Sequence, residues 1–222
     1  MTNKVTSEEG NIIFNVADLN VGNKPYADLH LHTIASDGTW SASFLVKKLL
    51  ENDVVLFAVT DHDSIESLSE AENAAKKACL SFIRGIEISS IYDGVVFHIL
   101  GYNILPEHHA ITEVIEYNRN HMEEEGFESI IWLQKKGFRV SAEDYEIYLN
   151  NTSRGGWKIL NYLIDKKLCT NHKDFFNLFN GDKAPFTQME FVSPIEAAKA
   201  IKSAGGVPMF AHPGVNFFKN GH

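Results

Sequence analysis

The sequence predicts an α/β fold interrupted by a helical insertion, and three observations support this prediction. Short apolar runs alternate with helical segments between residues 25 and 106. Residues 107–190 show helical patterns and few convincing strands, and the alternation resumes over residues 191–222. Because such alternation is typical of a parallel sheet covered by helices, residues 25–106 and 191–222 are expected to form one unit with 107–190 inserted. Residues 1–24 are a weakly patterned leader, with an edge strand predicted at 12–14.

Four strands and two helices are predicted in the first part of this unit. The run 54–60 is apolar and β-branched, as expected of a strand buried on both faces. Ser41 is a suitable N-cap for the first helix, and Asp93-Gly94 indicates a turn between the last two strands. The predicted strands are 26–32, 54–60, 80–90 and 95–102, and the predicted helices are 41–52 and 64–78.

The insertion is predicted to contain a long helix over 111–136, weakened at Gly126, and shorter helices over 157–166 and 174–179. After it, the segment 193–196 (SPIE) combines an N-cap serine, a proline at the first helical position and a glutamate that completes a capping box. A helix begins there, ends near 204–206 and leads to a short strand over 207–211.

Composition excludes several classes of function. The formal net charge of −9 gives no basic face, so duplex DNA or RNA is not expected as a partner. Cys79 and Cys169 are far apart without a CxxC spacing, which argues against a disulfide framework or a thiolate metal site and favours a reduced, cytoplasmic location. Neither a signal peptide nor an apolar run long enough for a membrane span is visible.

Residues that can bind metal recur at the ends of the predicted strands. His30 and His32 lie two apart on one strand, so their side chains share a face. Five further positions follow the same pattern: Asp37, His62, Glu87, His98 and His212. A single histidine there is more often an ordinary polar residue, but the whole set is costly near a core unless it is paired or metal-bound. Imidazole and carboxylate ligands without thiolates suit zinc, manganese or iron.

These residues resemble the motifs of a known family, the PHP (polymerase and histidinol phosphatase) domain. The motifs are 28–32 (DLHLH), 36–38 (SDG), 60–63 (TDHD), 85–87 (GIE), His98 and 211–213 (AHP). The spacings of 2, 5, 25, 25 and 11 residues from His30 to His98 match the branch that contains 3′,5′-nucleoside bisphosphate phosphatases and RNA 5′-end exonucleases. The resemblance, over roughly residues 26–214, implies a distorted (β/α)7 barrel with the insertion as a lid.

The resemblance also implies up to three divalent ions, manganese, zinc or iron. The first ion would be bound by His30, His32 and Glu87, the second by Glu87, His98 and His212, and the third by Asp37 and His62. The family completes the first and third sites with an Asp-x-His pair on a later strand. No such pair follows His212 in this sequence, so the barrel is expected to be truncated before its last strands.

The function implied is a metal-dependent phosphoesterase acting on phosphomonoesters of small nucleotides, such as 3′,5′-bisphosphonucleosides, or on the 5′ ends of short RNA. A metal-bridging hydroxide would attack phosphorus, assisted by Asp37 and His62. Arg154 and Lys183 are the candidate substrate-binding residues, although position 156, where the branch usually has a histidine, is glycine. Two alternatives are a metal-binding but catalytically weak PHP fragment and a histidinol-phosphate phosphatase, which would require a different lid.

Overall fold

A five-stranded sheet with the order β1-β2-β3-β4-β5 forms the centre of the molecule. The structure is a computed structural model and describes residues 26–179 and 184–214, the side chains of 186 and 187 excepted. The leader with its predicted edge strand, and Lys183, lie outside these residues. The strands are β1 (Tyr26–Leu31), β2 (Val54–Val59), β3 (Ser81–Tyr92), β4 (Val95–Tyr102) and β5 (Val207–Phe210).

Seven helices accompany the sheet in the described ranges. Six overlap the predicted helices, and the short helix Ala142–Glu146 was not predicted. The seven are α1 (Ala42–Glu51), α2 (Leu68–Ala78), α3 (His109–Lys135), α4 (Ala142–Glu146), α5 (Lys158–Asp165), α6 (His172–Leu178) and α7 (Pro194–Ser203), with short 3₁₀ helices at Thr152–Arg154 and Pro185–Gln188. Ser41 caps α1, and the capping box of Ser193 and Glu196 begins α7 as predicted. Gly126 does not interrupt α3; a side chain there would meet the Tyr145 hydroxyl at 2.8 Å.

The sheet is mixed, whereas the alternation of strands and helices predicted a parallel one. β1, β2 and β3 pair in parallel, but β3–β4 and β4–β5 pair antiparallel. The reason is the two-residue connection at Asp93-Gly94, where both residues have positive φ angles of 50° and 73°. Such a connection joins only antiparallel strands, since a parallel pair needs a crossover. The count of seven β/α units stays a prediction.

The buried apolar side chains of the described residues form two hydrophobic cores. The first core lies between the sheet and α1, α2, α7 and the beginning of α3, and includes Phe57 and Ile86. The second core lies within the insertion and includes Leu133 and Tyr162. Because α3 contributes Ile111 to the first core and Leu133 to the second, it connects the insertion to the sheet.

Two further features bear on the environment of the chain. Cys79 is an exposed free thiol and Cys169 a buried one. None of the helices within the described ranges combines the length and apolar character needed to cross a bilayer.

Replacing Phe57 by alanine is expected to lower the free energy of unfolding by about 3–5 kcal/mol, because removal of a fully buried ring leaves a cavity in the first core. The matched change Val55→Ala, on the same strand at a position 39% exposed, should lower it by less than about 1 kcal/mol. Urea denaturation measures both values, and equal losses would contradict the assignment of Phe57 to the core.

Candidate metal centre

The predicted metal-binding residues converge on one carboxylate, that of Glu87. Glu87 lies in β3 between Ile86 and Ile88, which are both fully buried in the first core. Successive side chains of a strand point to opposite faces, so Glu87 points away from that core and towards the histidines. Its side chain is only 1% exposed. The strand therefore presents a buried charge that must be compensated by its surroundings.

Five imidazoles surround the two oxygens of this carboxylate. Oε2 lies 2.7 Å from His30 Nε2 and 3.1 Å from His32 Nε2, and 3.6 Å from His62 Nε2. Oε1 lies 3.3 Å from His98 Nδ1 and 3.2 Å from His212 Nε2. Each oxygen thus faces its own set of histidines, which is the arrangement expected of a carboxylate that bridges two ions.

Asp37 extends the cluster on the side of His32 and His62. Its Oδ1 lies 3.3 Å from His32 Nδ1, and its Oδ2 lies 3.9 Å from His62 Nε2. Three groups have ligand atoms within 4.8 Å of one another: His30, His32 and Glu87; His32, Asp37 and His62; and His62, Glu87 and His98. The first group is the predicted ligand set of the first ion. Each of the other two groups combines residues from two of the predicted sets.

His98 reaches the cluster by a route that the sequence did not predict. It lies on the antiparallel strand β4, opposite Ser89 of β3, and therefore in the N-terminal half of its strand. His212 follows β5, with a φ of 32°. Because β4 runs against β3, the beginning of β4 lies at the same edge of the sheet as the carboxyl ends of β1 and β2.

The electrostatic environment keeps Glu87 ionised and His62 neutral. Burial would raise the pKa of Glu87, but hydrogen bonds donated by His30, His32 and His98 outweigh it and hold the pKa far below its usual range. Burial, only partly offset by the charge of Glu87, lowers the pKa of His62 to about 4. A neutral imidazole keeps a lone pair for a metal ion, which is the form that metal binding requires.

The donor set fits a cluster of divalent ions. Among the described residues, no lysine or arginine pairs with Glu87; only histidines do. His98 Nδ1 and His212 Nε2 lie 3.2 Å apart. At this distance either one nitrogen donates a hydrogen bond to the other, or both nitrogens direct their lone pairs at a shared cation. The buried Nδ1 of His62 has no hydrogen-bond partner among the described residues. Imidazole and carboxylate ligands of this kind suit zinc, manganese and iron.

Asp61 fixes the loop between His32 and Asp37, a role that the sequence did not reveal. It is fully buried and accepts hydrogen bonds from Thr33 N (2.6 Å), Thr33 Oγ1 (2.8 Å), Ser36 Oγ (2.6 Å) and Ser67 Oγ. Among the described residues, the donors to its carboxylate oxygens come from the loop between His32 and Asp37 or from the N-cap residue of α2. Asp61 therefore positions this loop without being part of the cluster itself.

Asn118 joins α3 to the edge of the sheet that carries the metal ligands. Its Nδ2 donates to Asp63 Oδ1 (2.8 Å) and to the Ser89 carbonyl (2.7 Å), and its Oδ1 accepts from Val192 N (3.1 Å). Burial raises the pKa of Asp63 to about 6, although hydrogen bonds from Ser89 and Asn118 oppose the rise. Asn118 lies on the same buried face of α3 as Ile111. A polar residue at a core-facing position of a helix is the sequence signal that could have identified it.

A cavity of about 480 Å³ lies between the metal centre and the insertion. Asp37, His62 and His98 line one side of it. The other side includes Arg119, Met122, Tyr145, Trp157, Lys158, Phe176 and Phe191. Sequence reasoning did not select Arg119 or Lys158, because only the packing of α3 and α5 brings them to the cavity.

Arg154, one of the two predicted substrate-binding residues, is not among the described residues that line the cavity. Arg154 donates to Asp165 Oδ1 at 2.8 Å, and Asp165 also accepts a hydrogen bond from Tyr148 at 2.7 Å. Lys183 lies outside the described residues. Gly156, where the branch usually has a histidine, donates its backbone N–H to the Asp37 carbonyl at 3.2 Å. Their substrate-binding role stays a prediction.

The change Asp61→Asn is expected to lower the free energy of unfolding by about 1–3 kcal/mol, because an amide NH₂ would face a buried donor. Asp53→Asn is the matched control: Asp53 is exposed with a φ of 58°, a conformation that asparagine tolerates. Denaturant unfolding of both variants tests this, and an unchanged midpoint for Asp61→Asn would contradict the role assigned to Asp61.

The change Glu87→Gln is expected to lower the affinity for Mn²⁺ at least about 10-fold, since the charge of the predicted ligand is lost while its shape is kept. Glu116→Gln, at an exposed position of α3, should leave the affinity unchanged. Titration calorimetry and the metal content after gel filtration are the measurements. Equal manganese binding by the Glu87→Gln variant and the wild type would exclude Glu87 as a ligand.

Comparison with known proteins finds similar sequences among curated enzymes. A 5′-3′ exoribonuclease from Haemophilus influenzae is 32% identical over 187 residues, covering 84% of this chain and 68% of that protein. A 3′,5′-nucleoside bisphosphate phosphatase from Chromobacterium violaceum is 25% identical over 189 residues, covering 84% of this chain and 66% of that protein. The chain thus spans about two thirds of the length of these curated relatives.

Solved structures share the fold. A candidate metal-dependent phosphoesterase from Bifidobacterium adolescentis superposes with a TM-score of 0.72 at 23% identity, covering 86% of this chain and 68% of that one. An amidohydrolase from Chromobacterium violaceum, solved with sulfate and without metal, gives 0.71 at 26% identity, covering 85% and 67%. The model of the PHP domain matches residues 28–201, most of the described part of the chain. The predicted family is therefore confirmed, and the chain belongs to the PHP domain family.

Proposed function

We propose that the chain is a metal-dependent phosphoesterase acting on small nucleotides or on the 5′ ends of short RNA. The observation that carries the proposal is the Glu87 carboxylate, surrounded by five histidines beside a cavity of about 480 Å³. Relatives named as an exoribonuclease and a nucleoside bisphosphate phosphatase support the same class of reaction.

The residues that would hold the ions are those of the cluster. His30, His32 and Glu87 would bind the first ion, Glu87, His98 and His212 the second, and Asp37 with His62 the third. Bound divalent ions polarise phosphoryl oxygens and lower the pKa of water, so that hydroxide is available near neutral pH.

Asp37 and His62 are the residues placed to assist the reaction. Both belong to the cluster and both line the cavity, so a phosphoryl group in the cavity would contact them. The Asp37 carboxylate is 40% exposed and can accept a hydrogen bond from the attacking water. The neutral imidazole of His62 adds no positive charge of its own, and its low pKa keeps it unprotonated across the neutral range.

The size of the cavity limits the substrate. A volume of about 480 Å³ lies within the usual range for small-molecule sites, roughly 300–1,000 Å³, and is too small for a duplex. One nucleotide, free or at the end of a single strand, fits this limit. Since the insertion forms the far wall of the cavity, it favours a nucleotide over histidinol phosphate, the alternative considered from the sequence.

The test is release of phosphate from adenosine 3′,5′-bisphosphate by the manganese-loaded protein. His62→Ala should lower kcat/KM by about 100-fold or more, because even indirect partners of metal ligands are worth about 10–100-fold. His109→Ala, at an exposed position at the start of α3, should retain full activity. A chelator should abolish turnover. Stoichiometric metal binding by the wild type without any phosphate release would contradict the proposal.

A further inference from the structure

The wall of the cavity opposite the metal centre carries a cation that has no acidic partner among the described residues. Two basic side chains, Arg119 and Lys158, line the cavity. Arg119 is already paired with Glu66 at 2.7 Å. Lys158 Nζ instead lies 4.8 Å from the centre of the Tyr145 ring, over its face. An aromatic ring holds an ammonium group in place without neutralising it. Glu123 also lines the cavity but forms no ion pair with Lys158, so Lys158 remains available to an anion.

The position of Lys158 is fixed relative to the metal centre. Gly155 and Gly156, just before α5, both have positive φ angles, of 73° and 70°. Gly156 donates its N–H to the Asp37 carbonyl at 3.2 Å, and the buried Asn161 donates to the Gly155 carbonyl at 2.9 Å. The turn therefore connects the first residue of α5 to the loop that carries a predicted metal ligand. A ligand at the metal centre would find Lys158 at a defined place across the cavity.

Aromatic side chains complete this side of the cavity. Trp157 and Phe176 both line it, with ring centres 6.5 Å apart, and Phe176 is 49% exposed. Stacking of a base on an aromatic ring tolerates any base and is a common mode of binding single nucleotides. A base stacked on these rings would leave the phosphates on its sugar free to contact the metal centre and Lys158.

We propose that Lys158 binds a second phosphate of the substrate, on the wall of the cavity that the insertion forms. This proposal rests on the proposed function. It makes the site selective for a nucleotide with two separated phosphates, as in a 3′,5′-bisphosphonucleoside or a 5′-phosphorylated RNA end, over a nucleoside monophosphate. Arg154, the residue predicted for this role, is engaged with Asp165 and does not line the cavity.

The test compares binding and turnover of adenosine 3′,5′-bisphosphate and adenosine 5′-monophosphate. Titration calorimetry on protein treated with chelator measures binding without turnover, and steady-state kinetics with Mn²⁺ follow. The wild type should bind the bisphosphate about 10-fold more tightly or better, the range of a charge-assisted hydrogen bond. Lys158→Met should abolish this preference and raise KM for the bisphosphate about 10-fold, with kcat nearly unchanged, whereas Lys158→Arg should restore it.

Lys166→Met is the matched control, because Lys166 lies at the other end of the same helix and pairs with Asp144 outside the cavity. It should leave the preference intact. Equal or undetectable binding of the two nucleotides by the wild type, or an undiminished preference in Lys158→Met, would overturn the role of Lys158. A preference that depends on Lys158 without any phosphate release would instead overturn the proposed function and support the anion site.

Discussion

The burial of the Glu87 carboxylate is the constraint on which the rest of the structure depends. A charge in the middle of a strand, flanked by two core isoleucines, is tolerated only if it is paired. Here the partners among the described residues are five imidazoles, and not lysine or arginine. Divalent ions would complete the compensation. The core of the sheet and the chemistry of the site therefore meet at a single residue.

Buried polar contacts hold the surrounding segments in place. Asp61 accepts hydrogen bonds from the loop between His32 and Asp37, and Asn118 connects α3 with β3 and with Val192, two residues before α7. Buried networks of this kind are stabilising only when every member is satisfied, so they specify one arrangement. Through Asn118 and the Gly156–Asp37 contact, the insertion is tied to the metal edge at two points, and the cavity between them has a defined shape.

Local patterns made much of this predictable. The alternation of side chains along β1 predicted that His30 and His32 share one face. The N-cap residues Ser41 and Ser193 located the beginnings of α1 and α7. Long-range geometry was not predictable in the same way. The Asp93-Gly94 turn already implies that β4 runs antiparallel to β3, but the pairing of β5 with β4, which brings His212 beside His98, follows only from the assembled sheet. Lys158 reaches the cavity through the packing of the insertion, and Arg154 is held by Asp165, eleven residues away in sequence.

We propose that the Glu87 carboxylate would bridge neighbouring metal ions. Electron paramagnetic resonance of the protein loaded with Mn²⁺ tests it most directly, because ions bridged by a carboxylate are exchange-coupled. The account predicts a coupled multiline spectrum in the wild type that Glu87→Gln converts to isolated manganese signals. A wild-type spectrum that shows only isolated Mn²⁺ at more than one ion per chain would contradict a shared site at Glu87.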